Sequence, residues 1–116
     1  MTDEKKGLDV TEQDREFTKD FGKRGSFTLR IPLPQENVDI INMTSRILNG
    51  APLNSIQASD YEYARMLVTL NYVIQSHPNW WSSADECPDE DFLVSKLWRF
   101  YLDSEKKFKD MLKKNS

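Results

Sequence analysis

From Ser26 to Pro34 the chain alternates, with Phe27, Leu29, Ile31 and Leu33 on one side and Ser26, Thr28, Arg30 and Pro32 on the other. A period of two is the mark of a half-buried strand, predicted here over about 26–33. Its backbone groups need partners. The glycine-flanked stretch Phe21-Gly22-Lys23-Arg24-Gly25 reads as a turn, so Glu16 to Phe21 can fold back as a short antiparallel partner. Without that partner the strand must pair with another chain. Pro32 cannot donate to a ladder, which pushes the strand towards a sheet edge.

Beyond Pro34 the spacing changes to three and four, the period of helices. The first helix is predicted over roughly 35–48, with Val38, Ile41, Ser45 and Leu48 on one face and Ile40, Met43 and Ile47 widening it. Asn49-Gly50 is a good stop, since glycine tolerates the left-handed conformation that ends helices. In the linker that follows, Leu53 and Ile56 are spaced to tuck against a core. Ser59-Asp60-Tyr61-Glu62 fits a capping box. The helix it opens, predicted over 59–77, carries Tyr63, Met66, Leu67, Leu70, Val73 and Ile74 and is ended by Pro78. A third helix over 88–114 starts at Pro88, a residue suited to a first helical turn. Asp89, Glu90 and Asp91 sit at its positive end and Lys106 to Lys114 at its negative end, both favourable to the helix dipole. Phe92, Leu93, Leu97, Phe100, Tyr101, Phe108 and Leu112 mark its apolar stripe. At 1.5 Å per residue it would run about 40 Å, so its last turns are expected to project or fray.

The expected fold is therefore mainly α: three core helices preceded by a short strand or hairpin, in a single domain over 26–116. Residues 1–25 hold near-balanced charge and only Leu8, Val10, Phe17 and Phe21 as large apolar groups. Such a stretch buries too little to offset the entropy of ordering it, and it is expected to be a flexible charged N-terminal arm.

With 116 residues, 38% hydrophobic and 30% charged, the chain is long enough for one core without staples. Its net charge of −3 argues against binding nucleic acid by neutralising phosphates. No run approaches the roughly 18 apolar residues of a membrane span, and the start lacks the apolar core of a signal peptide. A lone cysteine, Cys87, fits a reducing cytoplasm.

His77 and Cys87 flank one loop and are the obvious chemical candidates, but nothing glycine-rich supplies an oxyanion site. One histidine and one cysteine fall short of a four-ligand zinc site. Asp85, Glu86, Asp89, Glu90 and Asp91 lack the alternating acids and central glycine of a calcium loop. No catalytic residue, metal or cofactor is therefore expected. The aromatic pair Trp80-Trp81 carries more information. Adjacent loop residues seldom both point inward, so one is expected to pack and the other to meet a partner. The expected protein-binding set is Trp80 and Trp81 together with Phe27, Leu29 and Ile31 on an open strand edge, able to take an added strand.

The order of these features is similar to a known group. Phe27-Thr28-Leu29-Arg30-Ile31-Pro32-Leu33-Pro34 leads into a helix ending Arg46-Ile47-Leu48-Asn49-Gly50-Ala51-Pro52-Leu53. Asp60-Tyr61-Glu62-Tyr63-Ala64-Arg65 with Val68-Thr69-Leu70, the loop Pro78-Asn79-Trp80-Trp81 and Asp89-Glu90-Asp91-Phe92-Leu93 follow. Over roughly 26–112 this resembles the small tail-assembly chaperones and related morphogenesis proteins of long-tailed bacteriophages. The resemblance implies a non-enzymatic protein of the host cytoplasm that coats the tape measure protein and delivers tail tube subunits around it. Members of that family leave the finished particle and are often made in a short and a frameshifted long form. Two other readings stand beside it. One is a structural virion protein at a capsid or head–tail junction, self-associated or paired with its neighbours; the other is a small host-directed inhibitor.

Overall fold

The antiparallel partner expected from the Phe21–Gly25 turn is present. In the computed structural model, which describes residues 11–48 and 58–115, β1 (Glu16–Asp20) runs antiparallel to β2 (Ser26–Arg30). A third strand, β3 (Ile74–Ser76), pairs antiparallel with the other edge of β2, so the order is β1-β2-β3. The helices are α1 (Pro34–Ile47), α2 (Ala58–Val73) and α3 (Leu93–Asn115). The three expected helices are present and the chain is mostly helical, but the short strand or hairpin expected before them is part of a three-stranded sheet, so the fold is less purely α than expected.

The register explains which residues are buried. Phe17 lies opposite Leu29 and Lys19 opposite Phe27, and directly opposed residues point to the same face. That face carries Phe27, Leu29 and Ile31 into one core with Leu70 and Val73 of α2 and Leu93, Leu97, Phe100 and Tyr101 of α3. The other face carries Glu16, Thr18, Asp20, Ser26, Thr28 and Arg30, none of them buried, with the Thr18 and Thr28 hydroxyls 2.7 Å apart in a hydrogen bond.

Of the stretch expected as an arm, residues 1–10 lie outside the described residues, while β1 and two 3₁₀ turns (Gln13–Arg15 and Gly22–Arg24) occupy most of 11–25. Composition misled here because a single residue does much of the anchoring. Arg15 donates from Nε to the Ile31 carbonyl and from its terminal nitrogen to that of Pro32, each at 2.9 Å. Its guanidinium also lies 4.7 Å from the ring centre of Phe108 on α3. The far turns of α3 are thereby covered rather than projecting: Phe108 is buried, and Met111 and Leu112 are packed against the core.

Pro34 opens α1 as expected. Glu36 accepts from the Leu33 backbone N–H at 2.7 Å and pairs with Arg30 of β2, which ties the sheet to the first turn of the helix. Only part of the expected apolar face of α1 is buried. Ile40 of that set faces inward together with Thr44, while Val38 and Ile41 are exposed. Thr44 fits inside because its hydroxyl donates to the Ile40 carbonyl. The expected stop at Asn49-Gly50 and the linker residues Leu53 and Ile56 lie outside the described residues, as does the side chain of the expected cap Ser59.

Two further boundaries differ. Residues 74–76 are strand, not the end of α2, because β-branched Ile74 suits extended backbone and can pair with β2. Pro88 does not start α3, which begins at Leu93. The carboxylate of Asp89 instead accepts from the Val94 N–H at 2.8 Å and caps the helix from five residues upstream.

Leu70 is fully buried at the centre of α2, and Leu70→Ala should cost about 2–5 kcal/mol through lost burial and a cavity. A denaturant melt matching the wild type would show that this face of α2 is not packed. The Arg30–Glu36 pair makes a second prediction. The Arg30 hydrogen bond first, then the Leu33 N–H, outweigh burial and hold Glu36 below the usual carboxylate range. Its contribution is complete above the ordinary glutamate value of about 4.3 and disappears as pH falls through the lowered folded value. Glu36→Gln should therefore lose about 1–2 kcal/mol at neutral pH and show a shallower loss of stability on acidification. Equal acid slopes for the two proteins would contradict this.

Candidate protein-binding site

The β1–β2 turn and the loop before α3 are built against each other. Gly25 sits at φ 98°, and a Cβ there would lie 2.4 Å from Cγ of Pro78, so only glycine allows this approach. Arg24 completes the joint. It donates to the Asp91 carboxylate at 2.5 Å and to the Pro88 carbonyl at 2.8 Å, while its guanidinium lies 4.6 Å from the ring centre of Trp80. Burial alone would raise Asp91, but the Arg24 hydrogen bond keeps it below the usual carboxylate range. The indole N–H of Trp80 donates back to the Arg24 carbonyl at 2.9 Å.

One of the two tryptophans packs inward, as expected, and its neighbour stays at the surface. Trp81 is buried, with its ring centre 5.1 Å from that of Phe27 in an edge-to-face contact. Trp80 is 42% exposed but fixed by its hydrogen bond, by Arg24 and by an edge-to-face contact with Phe27. The strand half of the expected binding set is corrected: Phe27, Leu29 and Ile31 are all core residues. β2 is the central strand with both edges paired, so it has no open edge to offer.

A concave surface that the sequence reading missed lies between β1 and the start of α3. Lys19, Phe21, Phe92, Ser95, Lys96 and Arg99 line a cavity of about 380 Å³. Three cations and two aromatic rings thus share one depression, and no carboxylate lines it. Among the described residues, none of the three cations is held in an ion pair; Lys19 lies over the Phe21 ring at 5.6 Å. Phe21 is braced from behind by edge-to-face contacts with Phe27 and Phe100. Phe92 is the unusual member. It has φ 59°, in the left-handed region that costs an L-residue about 1–2 kcal/mol, and its side chain stands 68% exposed. A signal for this existed in the i, i+3, i+4, i+7 spacing of Phe92, Ser95, Lys96 and Arg99, which puts them on one helical face. The stripe expected for α3 had assigned Phe92 to the core.

Apart from Glu90, the residues weighed for other chemistry have internal partners. The Nδ1 atom of His77 lies 2.9 Å from the Pro78 carbonyl, and burial pushes the Cys87 thiol up against the opposing pull of Arg24. Asp85 is hydrogen-bonded by Asn71, Glu86 by Ser82, Asp89 by the Val94 N–H and Asp91 by Arg24. Among the described residues no group of three His, Cys, Asp or Glu side chains is placed to hold a metal ion, and no helix is long and apolar enough to cross a membrane.

The chain matches no protein-family model, and neither the curated proteins nor the solved structures contain a match to it.

Phe92→Gly should raise stability by about 1 kcal/mol, because glycine relieves the left-handed backbone while little buried surface is lost. Thermal melts of the two proteins test this directly. A lower melting temperature for the glycine variant would mean that the exposed ring contributes more to the fold than its backbone costs.

Proposed function

We propose that this chain is a non-enzymatic protein-binding module, and that in the narrower form of this reading it is a tail-assembly chaperone of a long-tailed bacteriophage. The observation that supports the first statement best is Phe92. A strained backbone holds an aromatic side chain out of the core, beside three cations and a second ring, which is the arrangement of a binding anchor rather than of a packing residue. Trp80 adds an exposed ring that its hydrogen bond to the Arg24 carbonyl and the Arg24 guanidinium hold in place. Fixed rings lose little entropy when a partner covers them, which favours affinity.

The narrower reading rests on the resemblance drawn from the strand, the helix ends and the Pro78–Trp81 loop. One structural feature supports it over a lattice protein of the virion. β2 finds both of its partners within the chain and needs no neighbour to complete it. A tape measure or tail tube protein would then be the partner, engaged transiently in the host cytoplasm.

Co-expression with a candidate tape measure or tail tube protein, followed by pull-down, tests both statements. Wild-type protein should capture one of them, and Phe92→Ala should weaken capture at least tenfold while keeping its fold. Trp80→Ala should weaken it as well, but with a stability loss of about 1–3 kcal/mol from the broken hydrogen bond and ring contacts. Failure to capture either protein removes the narrower reading. Full binding by both folded variants removes the proposed site.

A further inference from the structure

The cavity beside β1 lies against an unfinished sheet edge, and the two together define what kind of segment fits. At the two ends of β1 the pairings of Phe21 with Gly25 and of Arg15 with Ile31 fix the phase of the ladder, with N–O distances of 2.9 and 2.8 Å. Hydrogen bonding alternates along an antiparallel strand, so Phe17 and Lys19 turn their peptide groups towards β2. Thr18 and Asp20 turn theirs outward. The Glu16 N–H is already used by the Gln13 carbonyl, but among the described residues the outward N–H and C=O groups of Thr18 and Asp20 have no partner. They form two rungs of a vacant ladder, directly beside Lys19 and Phe21.

We propose that an extended acidic segment of a partner protein adds to β1 as a fourth strand and drops an apolar side chain between Phe21 and Phe92. The proposal rests on the protein-binding reading above and specifies its ligand. Main-chain hydrogen bonds to Thr18 and Asp20 supply the docking, and alternate side chains of the added strand face the cavity. Those side chains meet Lys19, Lys96 and Arg99 with no lining carboxylate, so acids are favoured and bases repelled. The same cations and rings suit a single-stranded nucleic acid, but nucleotides have no use for a β-ladder, and the chain carries a net charge of −3. The vacant rungs favour the peptide.

Fluorescence anisotropy on the full chain decides it, with three labelled probes. One is a peptide alternating glutamate with phenylalanine, the second the same peptide with lysine for glutamate, and the third oligothymidylate. The acidic peptide should bind, and raising the salt should weaken it. The lysine peptide and oligothymidylate should bind at least tenfold more weakly. Thr18→Pro removes an outward N–H that β2 does not use and should abolish binding. Thr28→Val breaks the same Thr18–Thr28 hydroxyl contact while leaving the edge intact, and should bind as the wild type does. Should Thr18→Pro not fold, Lys96→Glu with Arg99→Glu, on the exposed face of α3, takes its place and should also lose the acidic peptide. Equal binding of the acidic and lysine peptides, tighter binding of oligothymidylate, or wild-type affinity in folded Thr18→Pro would each overturn the proposal. So would a concentration-dependent dimer in sedimentation that Thr18→Pro abolishes, since a second copy would then be the occupant. If the peptide fails while a phage protein is still captured through Phe92, the strand-addition chemistry is wrong and the protein-binding reading survives. If both fail, that reading falls too.

Discussion

The packing of Phe27 is the constraint on which the rest of the molecule depends. Its ring, fully buried on the central strand, takes edge-to-face contacts from Phe21, Trp80 and Trp81 at centroid distances of 5.1 to 6.1 Å. Such contacts add about 0.5–1.5 kcal/mol each beyond area burial. They also carry position. Phe21 forms the wall of the cationic cavity, Trp80 the exposed platform and Trp81 the floor of the loop between β3 and α3. A change at Phe27 therefore disturbs Phe21, Trp80 and Trp81 together.

Charge acts at the joints rather than in the core. Arg15 ties the chain before β1 to the β2–α1 connection and to the end of α3. Arg24 ties the β1–β2 turn to the segment before α3, and Arg30 ties β2 to α1. Three arginines thus fasten three connections where apolar burial is thin. Arg15 and Arg24 each use two donors of the planar fork at once, which a lysine cannot reproduce.

The sequence disclosed what short-range physics controls. The alternation of β2, the turn at Phe21–Gly25, the start of α1 at Pro34 and the division of Trp80 from Trp81 were all legible from local pattern. What it hid depends on contacts between distant segments. α1 turns Ile40 and Thr44 inward as it packs on α2, and the segment before α3 is held by Asp89, which caps the helix from outside. β1 was legible as the other arm of the turn, but the composition of its stretch read as solvated because it could not show Arg15 bonding the Ile31 and Pro32 carbonyls. The cationic cavity was invisible for the same reason: Lys19 and Phe21 lie more than seventy positions before Phe92 and Lys96, and only the sheet brings them beside α3.

The passage from α2 to β3 contains no connecting residue, since Val73 ends the helix and Ile74 begins the strand. Helix and strand are consequently geared together. A helix advances about 100° per residue, whereas a strand turns its side chains over at every step. Inserting one residue at this joint would rotate α2 against the core or flip Ile74 to the outer face of the sheet. The slack available is the irregularity β3 already carries, where Ile74 and Ser76 lie opposite the adjacent residues Leu29 and Thr28. Evolution can vary the amino acids at this joint, but their number only as far as that bulge gives way.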